Sequence, residues 1–351
     1  MNITPYLKLM IEKGASDLYF TTGTQPKMKL DGKLVSVGKD ELNPKLIHDA
    51  ILGIMDEEQA RFFEKNLEID FAISLGNEGR FRVNAFHQKN STAMVLRYIR
   101  SKIPNIEELK VPEVLQELIM VKRGLLLMVG ATGSGKSTTL AAMIDHRNST
   151  SSGHILTIED PIEFVHPHKK SIINQREIGV DTLSYAKALK SSLREAPDVI
   201  LIGEIRDQET MEAALELAGT GHLAISTLHA NNAYQALTRI INMFPEAKHK
   251  QLFMDLSLYL RSIISQRLVP SLDGKRRAAV EIMINTPHLA ELILKGEVDE
   301  MKDALENSSE KGMQSFDTAL YKLYQEKAIS MEEALNNADS RANLESKMHF
   351  G

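Results

Sequence analysis

The spacing of apolar residues divides this chain into two parts with different patterns. In the first hundred residues, short alternating stretches are mixed with helical ones, which predicts a separate α+β domain with an antiparallel sheet. Thr4 and Pro5 suit the cap and first position of its first helix, and Asp31-Gly32 is a hairpin signal. The predicted helices cover residues 4–14, 44–53 and 56–66, and the predicted strands cover residues 16–20, 27–30, 33–35, 69–74, 79–87 and 92–99.

From Val111 onward, uninterrupted apolar runs alternate with helical stretches, which is typical of a parallel sheet whose strands are buried on both faces. Beyond residue 285 the pattern becomes helical, and the last dozen residues are expected to be frayed. Strands are predicted at residues 124–129, 154–158, 199–202 and 223–227, and helices at residues 183–195, 208–218, 289–295, 298–307, 316–325 and 331–338.

These patterns and a length of 351 residues predict more than one domain. The linker is placed where Ser101-Lys102-Ile103-Pro104-Asn105 interrupts both patterns. The expected organisation is an N-terminal domain at residues 1–100, a linker at 101–111, an α/β core at 112–285 and a C-terminal helical region at 286–351.

Residues 130–137 match the phosphate-loop motif G-x-x-x-x-G-K-[ST] at every fixed position, between a buried strand and a helix start. In that arrangement, backbone N–H groups and the helix N-terminus face the phosphates, Lys136 reaches the β- and γ-phosphates, and Ser137 takes one Mg²⁺ position. The Lys136 side chain is expected to face solvent in the empty site. A glycine-rich turn without a ligand is the alternative. The residues predicted to bind a nucleoside triphosphate are Gly130, Ala131, Thr132, Gly133, Ser134, Gly135, Lys136, Ser137 and Thr138.

Composition narrows the classes of protein that remain. The formal net charge is −5, from 42 Lys and Arg against 47 Asp and Glu, which argues against a surface built mainly to hold nucleic acid. The chain has no cysteine, so disulfides and cysteine-ligated zinc are excluded. The first residues show no signal peptide, and no apolar run approaches the roughly 18 residues that span a bilayer. We therefore expect a cytoplasmic protein.

The acidic candidates are sorted by the rule that ligands collect at the carboxyl ends of parallel strands. Asp198 and Glu204 flank the strand 199–202, about 20 Å apart at a rise of about 3.3 Å per residue, and only Glu204 follows the strand. Three more carboxylates, those of Glu159, Asp160 and Glu163, follow the strand 154–158. Phosphoryl transfer to water needs a magnesium shell and a group that orients the water. Glu204 and either Glu159 or Glu163 are the candidates for these two roles. The alternative is that they are ordinary solvated acids in loops.

His222 and His229 lie at the two ends of the strand 223–227, beside Ser226 and Thr227. A histidine in such a place is usually structural, while the pair allows a γ-phosphate sensor, and both interpretations stay open. There is no third histidine at ligand spacing, so no metal site is indicated.

Four arginines, Arg80, Arg82, Arg97 and Arg100, lie on or just after the last two predicted strands of the first domain. The usual explanation of such residues is a solvated sheet face. The functional alternative is an arginine finger that delivers positive charge to a transferring phosphoryl group. Arg82 and Arg97 share a face if the two strands pair.

Four segments resemble the Walker A, Asp, Walker B and His boxes of the secretion-type ATPases. They are residues 130–137, 157–164, 198–207 and 219–231. Residues 175–182 and 193–198 also resemble that superfamily, and residues 15–18 and 79–84 are similar to the type IV pilus retraction motors. The resemblance covers nearly the whole chain.

The resemblance implies a PAS-like N-terminal domain, a RecA-like P-loop domain with a helical C-terminal end, and a hexameric ring. It implies ATP and Mg²⁺ as cofactors, with Lys136 on phosphate, Ser137 and Glu204 on magnesium, and Glu163 rather than Glu159 activating water. It also implies that the two histidines lie near the γ-phosphate and that two arginines are finger candidates. These four residues are His222, His229, Arg82 and Arg97.

The resemblance fits retraction better than extension, because extension motors usually carry a further N-terminal domain and a four-cysteine zinc site. The stretch 288–297 lacks the helix motif of the PilT branch, while residues 295–298 and 312–317 are more like the PilU branch. The implied protein is therefore an ATP-hydrolysing motor for pilus retraction and twitching motility. Its implied partners are a PilT-like motor and an inner-membrane platform protein, contacted from the cytoplasm. The alternatives are an adaptor ring with little motor output and a nucleic-acid translocase.

Overall fold

The structure, a computed structural model, describes residues 1–30, 32–38, 40–76, 78–99 and 102–350. The chain divides into two units. The first unit contains Met1–Lys102 together with Glu163–Val165, and the second contains Ile103–Ile162 and His166–Gly351. Three predictions fall wholly or partly on residues outside the described ranges: the hairpin signal at Asp31, the arginine at position 100 and the start of the linker at Ser101.

The first unit is built on an antiparallel sheet of six strands, as predicted. Its helices are α1 (Thr4–Lys13), α2 (Pro44–Leu52) and α3 (Glu57–Asn66), and its strands are β1 (Asp17–Phe20), β2 (Lys27–Leu30), β3 (Lys33–Ser36), β4 (Glu68–Leu75), β5 (Gly79–Gln88) and β6 (Ser91–Ile99). The strand order is β3-β2-β1-β6-β5-β4. Phe20, Phe63 and Phe81 are wholly buried in its core. The predicted cap at Thr4 is wrong, because α1 has Ile3 at the cap position without a side-chain hydrogen bond.

The second unit contains a seven-stranded sheet and the remaining helices. The strands are β7 (Gly124–Val129), β8 (Gly153–Glu159), β9 (Ser171–Glu177), β10 (Val199–Ile202), β11 (Leu223–Leu228), β12 (Leu260–Pro270) and β13 (Arg276–Ile284). The helices are α4 (Ile106–Leu109), α5 (Val114–Ile119), α6 (Lys136–Thr150), α7 (Tyr185–Ser192), α8 (Gln208–Gly219), α9 (Ala233–Asn242), α10 (Glu246–Tyr259), α11 (Pro287–Lys295), α12 (Met301–Glu306), α13 (Phe316–Gln325), α14 (Met331–Asn336) and α15 (Arg341–Phe350), with a 3-10 turn at Val298–Glu300.

The order of the seven strands is β13-β12-β7-β11-β10-β8-β9, and every neighbouring pair is parallel except β12 with β13. Helices cover both faces, and the side chains of β7 are divided between two apolar clusters: Leu125, Leu127 and Val129 belong to one, and Leu126 and Met128 to the other. Because β7 is central and parallel to β11 and β12, the loop that follows it opens at the carboxyl edge of the sheet.

The C-terminal helices pack on the β12–β13 hairpin. Phe316 and Leu320 of α13 and Leu344 of α15 form a separate apolar cluster with Val269 of β12 and Ala279 of β13. Leu344 is 1% exposed. The expectation that the last dozen residues are frayed is therefore wrong, because α15 buries an apolar residue against the rest of this cluster.

Candidate functional site

The phosphate loop joins the end of β7 to the start of α6. Gly135 precedes α6 with a φ of +86°, in the left-handed region that favours glycine, and a Cβ atom there would lie 2.7 Å from the Gln266 side-chain amide nitrogen. A Cβ atom on Gly130 would lie 2.5 Å from the Gln266 backbone oxygen. The two outer glycines of the motif are therefore required by the close approach of β12.

The side chain of Gln266 holds the loop from β12. Its amide donates a hydrogen bond to the backbone oxygen of Ser134 at 2.8 Å, and its carbonyl accepts one from the Thr139 hydroxyl at 2.8 Å. Gln266 is 2% exposed, so both bonds lie in the interior. Sequence reasoning missed this residue, since β12 was not predicted and a single glutamine carries no motif.

Lys136 is buried, which contradicts the expectation of a solvent-facing side chain. It is 9% exposed, and its Nζ donates to the backbone oxygens of Gly130 at 2.6 Å and Ala131 at 2.9 Å. Burial lowers the pKa of this ammonium, and the nearby charge of Glu204 partly opposes that shift. The loop therefore folds back on its own lysine, and Lys136 and Glu204 lie within electrostatic reach of each other.

Glu204 lies two residues beyond β10, at the same edge of the sheet as the phosphate loop. Its two carboxylate oxygens have different neighbours: Oε2 accepts a hydrogen bond from Arg206 Nε at 2.8 Å, and Oε1 lies 3.3 Å from His229 Nε2. The Glu204 side chain is 17% exposed, while that of Arg206 is 62% exposed. The structure thus brings Glu204, His229 and Lys136 to one edge.

His222 lies at the opposite edge of the same sheet. It directly precedes β11, whose first residue pairs with Gly124, the first residue of β7. Its backbone oxygen accepts a hydrogen bond from the Gly124 N–H. Six residues of strand at about 3.3 Å each separate it from His229. The second unit of a single chain therefore does not bring His222 to the phosphate loop.

Asp198 also lies at that opposite edge. Its Oδ2 accepts a hydrogen bond from the His154 N–H at 2.8 Å. At the loop edge, the hydroxyls of Ser226 and Thr227 donate to the backbone oxygens of Ile202 and Gly203 at 2.7 and 2.6 Å. These two hydrogen bonds hold β11 against the end of β10. They thereby help to position Glu204, which follows β10.

Glu159 and Glu163 are placed in different units. Glu159 ends β8, and its Oε1 accepts hydrogen bonds from Thr157 Oγ1 at 2.6 Å and Gln175 Nε2 at 3.2 Å. Glu163 belongs to the short segment Glu163–Val165 that groups with the first unit. Its charge contributes to the raised pKa of Arg97. The two acids therefore have different surroundings, and the choice between them remains a prediction.

Tyr185 is a second residue that sequence reasoning missed. It is the first residue of α7, and a Cβ atom on Gly203 would lie 2.6 Å from its hydroxyl oxygen. Burial and the negative charges of Asp160, Glu159 and Glu204 raise the pKa of this phenol. The absence of a side chain at position 203 therefore leaves room for the Tyr185 hydroxyl near the acids at the ends of β8 and β10.

The two finger candidates lie opposite each other in the first unit. Arg82 of β5 pairs directly with Arg97 of β6, so both side chains project from one face of the sheet. Arg97 Nε donates to Asp17 Oδ1 at 2.8 Å, and this bond is the main cause of its raised pKa. Arg82 Nε lies 3.9 Å from Asp70 Oδ1. This face of the sheet therefore carries two adjacent guanidinium groups. The Arg97 side chain is 62% exposed.

A cleft of about 280 Å³ adjoins the phosphate loop on the side of β12. Residues from the loop, from the segment after β11, from both strands of the β12–β13 hairpin and from the segment after α14 line it: Gly130, Ala131, Thr132, Gly133, Ser134, Asn231, Gln266, Arg267, Leu268, Arg276 and Asn337. Two cationic side chains, Arg267 and Arg276, therefore line the cleft beside the loop.

Among the residues that the structure describes, no group of three or more His, Asp or Glu side chains is arranged to hold a metal ion. None of the helices in those ranges is both long and apolar enough to cross a membrane.

Comparison with known proteins gives matches along nearly the full chain. The family model described as type II/IV secretion system protein matches residues 2–341. The chain is 53% identical to the type IV pilus ATPase PilU of Pseudomonas aeruginosa, over 100% of this chain and 92% of that protein. It is 45% identical to the type IV pilus retraction ATPase PilT of the same organism, over 98% of this chain and 100% of that protein. The crystal structure of the pilus retraction motor PilT with bound ADP superposes with a TM-score of 0.92 at 42% identity, covering 98% of this chain and 99% of that one.

Proposed function

Because the chain belongs to the type II/IV secretion system protein family, we propose that it is an ATP-hydrolysing motor that powers retraction of a type IV pilus. Its identity of 53% with PilU and 45% with PilT supports a PilU-like motor. The observation that carries the proposal is the edge where the phosphate loop, Lys136 and Glu204 come together. A cation for the phosphates and a carboxylate for Mg²⁺ at one edge of the sheet are the groups that phosphoryl transfer to water requires.

In the proposed mechanism, the loop N–H groups and Lys136 bind the phosphates of ATP, and Lys136 exchanges its bonds to Gly130 and Ala131 for phosphate oxygens. Glu163 orients the attacking water, and His229 reports on the γ-phosphate through its contact with Glu204. His222 lies at the edge of the sheet opposite the phosphate loop. In this proposal it therefore contacts only the nucleotide of a neighbouring subunit. The other loop residues predicted to bind the nucleotide contact its phosphates through their backbone N–H groups.

Ser137 and Glu204 are the proposed magnesium ligands. Ser137 is exposed in the first turn of α6, and Glu204 lies at the same edge. Mg²⁺ keeps several waters and takes only one or two protein ligands beside substrate phosphates, so these two residues are enough to hold it. When bound, Mg²⁺ neutralises charge on the phosphate oxygens.

The proposed assembly is a homohexamer at the cytoplasmic face of the inner membrane, acting beside a PilT-like motor on an inner-membrane platform protein. Its proposed domains are those predicted above, with an N-terminal domain at 1–100, a linker at 101–111, a core at 112–285 and a helical end at 286–351. No specific nucleic acid is part of the proposal, because the charge balance is acidic.

One experiment separates this function from its two alternatives. We expect the purified chain to hydrolyse ATP at a rate that double- or single-stranded DNA does not change, and we expect a strain lacking this chain to recover twitching only with an active copy. Turnover stimulated several-fold by DNA, in a salt-sensitive way, indicates a translocase. Recovery of twitching by the inactive Lys136→Ala chain indicates an adaptor ring.

A second experiment tests the arginines. Arg82 and Arg97 lie in the first unit and the phosphate loop lies in the second, so we propose that an arginine reaches the nucleotide of a neighbouring subunit. An arginine finger contributes about 10³ or more in rate, so turnover should fall when the protein is diluted below its assembly concentration. Mixing Arg82→Ala subunits with Lys136→Ala subunits, each nearly inactive alone, should restore part of the activity. The mixture is repeated with Arg97→Ala. Mixed rings that form and stay inactive in both cases contradict the proposal.

A further inference from the structure

Two consecutive residues of β12 connect the phosphate loop to the C-terminal helices. Gln266 holds the loop, as described above. The next residue, Arg267, donates from Nη1 to the Asn337 backbone oxygen at 2.7 Å, and from Nη2 to Asp339 Oδ1 at 2.6 Å and the Asn231 backbone oxygen at 3.2 Å. We call this group of contacts the Arg267 clamp.

The clamp is supported by packing and by further hydrogen bonds. The Arg267 guanidinium stacks 3.9 Å from the centre of the Phe316 ring. The second carboxylate oxygen of Asp339 accepts a hydrogen bond from Asn232 Nδ2 at 3.2 Å. The backbone N–H groups of Asp339 and Ser340 both donate to the Asp317 carboxylate, at 2.8 and 3.0 Å. The segment after α14 is thus fixed both to the β-sheet and to α13.

This segment forms part of the cleft beside the phosphate loop. Asn337 lines the cleft together with Asn231, Arg276 and the loop residues 130–134. The cleft lies on the β12 side of β7, whereas Glu204 and His229 follow β10 and β11, on the other side of β7. A triphosphate that directs its γ-phosphate to those residues must extend its nucleoside toward β12.

We propose that the C-terminal segment supplies one wall of the nucleoside subsite, and that the Arg267 clamp holds this wall in place. The inference rests on the proposed function, since it takes the ligand of the loop to be a nucleoside triphosphate. Arg267 also lines the cleft, but its guanidinium is bonded to Asn337, Asn231 and Asp339. It is therefore a positioning residue in this arrangement, which holds Asn337 and Asn231 in place.

The test measures the nucleoside and phosphate halves of the ligand separately. Arg267→Lys keeps the charge but loses the forked geometry that reaches three acceptors, and Asp339→Asn removes the charge of the main acceptor. For both variants we expect the Kd of ATP and of ADP to rise about tenfold, because a charge-assisted hydrogen bond is lost from the wall. The Kd of tripolyphosphate, which has no nucleoside, should stay within about twofold of wild type. The KM for ATP should rise with kcat nearly unchanged.

A matched control is available in the same hairpin. Arg277 of β13 pairs with Asp273 at 3.4 Å and does not line the cleft. Arg277→Lys makes the same chemical change as Arg267→Lys, and it should leave all three affinities unchanged.

Two results would overturn the inference: ATP and tripolyphosphate affinities that fall together, or an ATP affinity that neither variant changes. The first would mean that the clamp supports the phosphate loop, and the second that the C-terminal segment does not contact the nucleoside. Either result leaves the proposed motor function standing. A wild-type chain that binds tripolyphosphate and ATP equally well contradicts the inference, and one that binds neither contradicts the proposed function itself.

Discussion

Lys136→Ala is expected to lower ATP turnover by a factor of at least about 100, the usual loss when one donor to a developing charge is removed. In the proposed mechanism the ammonium of Lys136, which now binds the loop carbonyls, is the cation that the phosphate loop supplies to the phosphates. Steady-state phosphate release measures the effect. Wild-type turnover by a folded Lys136→Ala protein would contradict the assignment of the site.

This variant needs a check of its folding. Lys136 is buried and donates to the carbonyls of Gly130 and Ala131, so alanine removes two hydrogen bonds from the loop, although the Ala131 oxygen still accepts one from the Ser134 N–H. A thermal melt therefore accompanies the kinetics. Lys170→Ala is a suitable control, because Lys170 is exposed and donates weakly to the Thr150 backbone oxygen at 3.4 Å. The control should retain both stability and turnover.

Glu204→Gln is expected to reduce turnover about 100-fold, while Asp198→Asn should change it less than about threefold. Both changes remove one negative charge next to β10. Only Glu204 lies at the loop edge, within reach of Lys136. Asparagine at position 198 can still accept the hydrogen bond from the His154 N–H. Equal losses in the two variants would show that the carboxyl edge of β10 is not where phosphoryl transfer takes place.

The lost ion pair of Glu204 with Arg206 is a separate effect that the experiment must exclude. The Arg206 side chain is 62% exposed, and exposed pairs contribute little to stability. Arg206→Met should therefore leave the melting temperature nearly unchanged. If its turnover also stays near wild type, the effect of Glu204→Gln belongs to the carboxylate itself.

Elements with a strong local pattern could be predicted from the sequence. The limits of β7, β10 and α13 agree with the prediction to the residue. The first two are uninterrupted apolar runs next to marked turns, and α13 is capped by the Ser315 side chain. The phosphate loop and the acids at strand ends were found in the same way, since each depends on order along the chain.

Elements whose position depends on distant contacts could not be predicted. The strand β12 begins at the residue after α10 ends, so no glycine or proline marks the change. The edge strand β9 is largely polar, and its burial comes from pairing with β8. The roles of Gln266 and Tyr185 follow from contacts across the sheet, with Ser134 and Gly203 respectively. The burial of Lys136 likewise depends on how the loop folds back on itself.

The anchoring of the phosphate loop by Gln266 has a thermodynamic consequence. Ordering the backbone of a flexible loop costs about 1–2 kcal/mol per residue in conformational entropy. Because the Gln266 amide already joins Ser134 to Thr139 across the start of α6, part of this loss occurs when the chain folds. A phosphate ligand then meets preformed N–H groups, and less of its intrinsic binding energy is spent on restricting the loop. The stability of the fold and the affinity of the site are therefore linked through one buried amide.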